Sequence, residues 1–161
     1  MTSLRGLLGR PVVATDTAEQ LGSVDAVVVD PAQQRIVALQ LGAKSARFLS
    51  WVDVRTVGED AVMATAASAT RDPQGPLEER VAAGVAVKLG QRVLDDGGDE
   101  LGALDDVEFD GATGTVEHLT VADANIPSDR LRGVGSYALV VARERVGESR
   151  ERTGMYPDDS R

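Results

Sequence analysis

Asp106, Glu108, Asp110 and Glu117 occupy the first, third, fifth and twelfth places of a run whose sixth place is Gly111. That spacing nearly reproduces an EF-hand calcium loop, where carboxylate oxygens surround the ion and a glycine permits the sharp turn. The third place is Glu rather than Asp or Asn, and the flanking residues alternate as strands do, so the stretch reads as a hairpin with solvated carboxylates. A second acidic loop, residues 95–100, sets Asp95, Asp96, Asp99 and Glu100 around Gly97 and Gly98. Turn chemistry accounts for it. A divalent-cation-binding protein using loops 95–100 and 106–117 is the alternative these carboxylates leave open.

Other reactive settings are sparse. The chain has no cysteine and one histidine, His118. These counts remove disulfides, thiolate nucleophiles and multi-histidine metal centres together. No Gly-x-Ser-x-Gly elbow occurs, and Gly133-Val134-Gly135-Ser136 lacks the third glycine of a phosphate cradle. The expectation is a protein that is not an enzyme, with no catalytic residue, cofactor or resident metal.

The elements that must position these residues are written twice. Residues 21–30, LGSVDAVVVD, and 101–110, LGALDDVEFD, share one pattern. The correspondence extends from Gly9 and Val12 against Gly90 and Val93 to Ile36, Leu39 and Leu41 against Val116, Leu119 and Val121. Val54, Val57 and Gly58 continue it against Leu131, Val134 and Gly135. A 161-residue chain with 42% hydrophobic residues therefore divides into two small modules. A unit of about 65 residues buries little surface alone, so the modules are expected to pack on each other through a pseudo-twofold contact.

Short apolar runs separated by turn residues predict an all-β chain. Strands are expected over 11–15, 21–30, 35–41, 47–50 and 61–65, and again over 92–95, 101–110, 115–121, 124–126 and 137–142. In the long strand of each copy Val24 and Val27, and Leu104 and Val107, stand three apart. A β-bulge at Asp25 and another at Asp105-Asp106 would return both members of each pair to one face. The organisation that follows is a first module at 1–68, a linker at 69–80 carrying at most a weak helical turn over Leu77 to Ala83, a second module at 81–145, and a mobile charged tail at 146–161.

A formal charge of −9 repels a phosphate backbone, which makes nucleic acid an unfavourable partner. No stretch has the roughly 20 apolar residues of a membrane span, and residues 1–10 lack the apolar run of a secretion signal. The chain reads as cytoplasmic.

The series Gly-x-x-Val, Leu-Gly-x-Val-x-x-Val-x-x-Asp and Ile-Val-Ala-Leu through residues 9–39, followed by Leu49-Ser50-Trp51-Val52-Asp53-Val54, resembles the PRC-barrel family of small β-barrels. These occur in the photosynthetic reaction-centre H subunit and in the C-terminal part of a ribosome-maturation factor. The first copy is similar along nearly its whole length, the second from Gly90 to Val121. The resemblance implies two tandem small PRC-type barrels and an interaction or scaffold role, with no shared catalytic residues. An accessory in ribosome assembly or RNA processing is an alternative it suggests.

Comparing the copies adds a further expectation. Val28 and Val37 of the first become Glu108 and Glu117 of the second. If Val27 and Val29 face the interior, Val28 points outward, so a patch of Val28 and Val37, bordered by Phe48 and Trp51, is the expected docking face for a protein partner or a second copy of the chain. Trp51, the only tryptophan, has core or barrel-end packing as its competing role.

Overall fold

The computed structural model describes residues 2–42 and 47–143. It opens with a two-residue strand, β1 (Thr2–Ser3), and a single helical turn, α1 (Leu4–Leu7). Six strands follow: β2 (Pro11–Ala14), β3 (Gln20–Asp30), β4 (Arg35–Gly42), β5 (Arg47–Ser50), β6 (Val54–Val57) and β7 (Val62–Ala64). A helix, α2 (Gly75–Ala82), leads to β8 (Arg92–Asp95), β9 (Glu100–Phe109), β10 (Val116–Val121), β11 (Ala124–Pro127), β12 (Leu131–Val134) and β13 (Leu139–Val141). The chain is all-β in class, with two sheets.

The first sheet is ordered β5-β4-β3-β2-β7-β6 and the second β11-β10-β9-β8-β13-β12. Element for element these are the same order. Even the one parallel pairing recurs, β2 with β7 and β8 with β13. The short strands β6 and β12 went unanticipated because Val-Arg-Thr-Val and Leu-Arg-Gly-Val are too brief to show alternation. Among the described residues no ladder joins β5 to β6 or β11 to β12, although a 3₁₀ turn, Trp51–Asp53 or Ser128–Arg130, links each pair along the chain.

Both expected bulges are present. Val24 pairs with Leu41 and Ala26 with Gln40, which leaves Asp25 as the extra residue. Thr120 pairs with Asp106 and Val121 with Leu104, which leaves Asp105. Val24, Val27, Leu104 and Val107 are accordingly all buried. The repeated Leu-Gly has an equally local cause: Gly22 and Gly102 sit at φ +146° and +141°, and a Cβ on either would lie 3.2–3.3 Å from the facing strand.

The core does not divide where the sequence does. One apolar cluster runs from Leu4 through Val24, Leu39 and Trp51 to Val93, Phe109, Leu119 and Val141. Units this small gain by merging their interiors. The junction is symmetric. Ile36 N donates to Gly114 O and Val116 N to Gln34 O, both at 2.8 Å, flanking an antiparallel bridge between Arg35 and Thr115. Position 36 corresponds to 116, so residues 34–36 and 114–116 exchange equivalent bonds about a local twofold axis. Beside it the Trp51 indole meets the Phe109 ring edge-on, with centroids 6.0 Å apart. The N-terminal segment adds a second tie: β1 pairs with β9, and Arg5 N and Nη2 donate to Asp106 Oδ1 and Asp105 O at 2.9 and 2.6 Å.

Residues 69–80, expected as a linker, form a strap with defined bonds. Pro76 in the first helical turn, Leu77 and Val81 on one face, and Arg80 near the C-terminus favour α2 over the weak turn expected. Residues 146–161, expected as a tail, lie outside the described residues.

Candidate functional site: the outer faces of the two sheets

Alternation along β3 sends Val27 and Val29 into the main core and Val28 to the opposite face. There Val28 joins Ala38 of β4 and Phe48 of β5 in a second apolar cluster, completed by Val81 of α2 and Ala86, with Val37 and Leu77 packed at its margin. Val28 and Phe48 are fully buried. The expected open docking patch is therefore corrected: the chain's own helix already occupies it. Sequence reasoning brought Val28, Val37 and Phe48 together but missed their cover, because an eight-residue helix carries too few apolar positions to announce itself. Trp51 belongs to the other cluster, at the junction of the halves, in the packing role.

The strap is fastened by more than burial. Phe48 N donates to Arg71 O at 2.8 Å and Arg71 N to Phe48 O at 3.0 Å, so residue 71 extends the sheet at the outer edge of β5. The Arg71 guanidinium grips Glu78 through two bonds of 2.5 and 2.8 Å and reaches Ser50 Oγ at 2.6 Å, while Gln74 N donates to Glu78 Oε1 at 2.9 Å. Burial of the Glu78 carboxyl pushes its pKa up, but the bonds from Arg71 and Gln74 outweigh this and hold it below the ordinary carboxylate value. The same hydrogen bond raises Arg71, against the opposing effect of burial.

The second sheet carries the same three places with different residues. Register sets Glu108 opposite His118 in β9–β10, and Thr120 opposite Asn125 in β10–β11, just as Gln40 stands opposite Phe48 in the first sheet. Val28, Ala38 and Phe48 thus become Glu108, His118 and Asn125. Glu108 Oε1 lies 3.5 Å from His118 Nε2, and Glu117 and Asn125 are exposed. Among the described residues β11 pairs with β10 alone, so its outer edge is open where that of β5 is taken.

The acidic loops have structural employment. Asp110 Oδ1 accepts from Ala112 N and Thr113 N, as Asp30 Oδ1 accepts from Ala32 N in the corresponding hairpin. Asp95 Oδ1 accepts from Gly97 N and Asp99 N, and Asp96 Oδ1 from Arg143 N. These carboxylates close turns. Among the described residues no three His, Cys, Asp or Glu side chains converge on one point. No helix among them is long and apolar enough to cross a membrane.

With that geometry in place, the comparison with known families is informative: residues 2–71 match the PRC-barrel domain. The match covers β1 through β7 and stops at Arg71, the residue that closes the edge of β5. No curated protein matches the chain.

Proposed function

We propose that the chain is a non-enzymatic scaffold of two PRC-barrel modules, the second descended from the same unit as the first, which binds a partner protein through the outer face of its second sheet. The observation that carries this reading is the strap. On the first sheet, residues 71–82 add an extended residue to the β5 edge and lay a helix across Val28, Ala38 and Phe48. That is an intramolecular version of edge addition plus helix docking, two common modes of peptide recognition. The equivalent edge of β11 and face of Glu108, Glu117 and Asn125 have no such cover among the described residues. Carboxylates in a chain of net charge −9 favour a partner segment rich in Lys or Arg.

The test compares the wild-type chain with a Glu108→Lys/Glu117→Lys variant as bait in its native cells, after melting curves show equal folding. The expected result is a defined partner on the wild type, cross-linked to residues 117–127, that is lost from the variant. The same partner on both baits, or cross-links confined to the first sheet, would contradict the reading.

A further inference from the structure

A cleft of about 380 Å³ opens at the junction of the halves, lined by Arg35, Trp51, Val52 and Val54 from the first and Thr113 and Thr115 from the second. Three features of its lining leave bonding capacity or apolar surface unused by the fold. The Nε of Arg35 is buried without an acceptor. No carboxylate lies within 4 Å of the Arg35 guanidinium among the described residues, although the chain carries nine net negative charges. Among the described residues Val52, 81% exposed, is one of two large apolar side chains left open to solvent.

The cause of the unpaired cation is local. Asp30 is the strand partner of Arg35 across the β3–β4 hairpin, but its carboxylate is spent on Ala32 N and Gln33 Nε2 at 2.9 and 2.8 Å. Across the junction, Asp110 is spent in the same way on Ala112 and Thr113. An acceptor bound in the cleft would give the guanidinium, through its accessible nitrogens, the partner it lacks among the described residues.

We infer that this cleft binds a monocarboxylate with a small apolar body, its carboxylate on the Arg35 guanidinium and its apolar group against Trp51, Val52 and Val54. A guanidinium presents paired donors that match a carboxylate. Thr115 Oγ1 accepts from Thr113 Oγ1 at 2.9 Å, which leaves the Thr115 hydroxyl proton to donate into the cleft. A single cation in a strongly negative chain favours a singly charged ligand over a phosphate dianion. The chemistry is shared by a free small acid and by the C-terminal residue of a peptide. The inference does not rest on the partner face proposed for the second sheet.

Trp51 is the only tryptophan, so its fluorescence reports the cleft directly. The full chain is titrated with N-acetyl-leucine, N-acetyl-leucinamide and a tripeptide ending in leucine with a free carboxylate. Both acids are expected to give a saturable change and the amide to bind about tenfold or more weakly. Tighter binding of the tripeptide than of N-acetyl-leucine would identify a chain end as the source, and the reverse a small acid. Arg35→Gln, with its melting curve as a folding control, should bring the acids down to the level of the amide. Thr115→Val provides a second variant at the same cleft and should weaken the acids several-fold. Equal binding of acid and amide, no saturable change, or an acid preference that survives both substitutions would overturn the inference.

Discussion

Val28, Ala38 and Phe48 on the first sheet and Glu108, His118 and Asn125 on the second hold the same three places in the same strand order, yet one set is sealed and the other is partly open to solvent. Two sheets of one strand order present two versions of every surface, and among the described residues the chain itself covers only one of them. The strap sits between the copies in sequence and reaches the first. Three substitutions are enough to make the equivalent face of the second unreceptive to an apolar helix, since a buried carboxylate without a partner is costly. The difference teaches that divergence between the copies is organised by what covers them, while the inward positions of both stay aliphatic.

The comparison can be broken most severely by making the first face resemble the second. Val28→Glu should cost about 4 kcal/mol in urea unfolding, through a charge placed beneath α2, whereas Glu108→Val should change stability by no more than about 0.5 kcal/mol. Glu78→Gln comes next. It leaves the largely buried Arg71 guanidinium without its partner and should cost about 3 kcal/mol near neutral pH. The folded Glu78 carboxyl lies below its ordinary value of about 4.5, so its contribution to stability is complete above that value and lost as pH falls through the lower, folded one. The gap between wild type and Glu78→Gln in melting temperature should therefore hold from neutral pH down to that value and close on further acidification.

The junction supplies a smaller and sharper pair. Gly114 lies at φ +80°, with Ile36 O only 2.8 Å from where a Cβ would stand and the Trp51 ring at 3.1 Å. Its counterpart Gln34 tolerates φ +53° at some cost in strain. Gly114→Ala should destabilise by about 2 kcal/mol, and Gln34→Gly should stabilise by up to about 1 kcal/mol by relieving that strain. Opposite signs at equivalent positions, read from urea midpoints, would show that the local twofold is close in backbone and broken in side-chain space.

Much of this fold was legible in the sequence because its causes are local. The twin Leu-Gly steps fix a positive φ under a close facing strand, and the three-residue spacing of Val24 and Val27 demands a bulge. The Val-to-Glu exchange at 28 and 108 marked two faces with different fates. What covers the first face was not legible: the strap depends on a long-range bridge at Arg71 and an ion pair to Glu78 inside a stretch rich in Pro and Gly, where local pattern points to a linker. The merged core was equally hidden, since inward-facing valines look the same whether two interiors close separately or together. Arg35 gave no signal at all, because its distinction is the absence of an acceptor, a property of three-dimensional neighbours.

The central claim is that two copies of one unit are locked about a local twofold into a single cooperative block. Native-state hydrogen exchange of the Ile36 and Val116 amides, which bond across the junction to Gly114 and Gln34, tests it most directly. The account predicts that both amides exchange at one rate, with the same protection as the core amides of Leu39 and Leu119. Fast exchange at either junction amide while Leu39 and Leu119 stay protected, or different unfolding free energies for those two core positions, would contradict it.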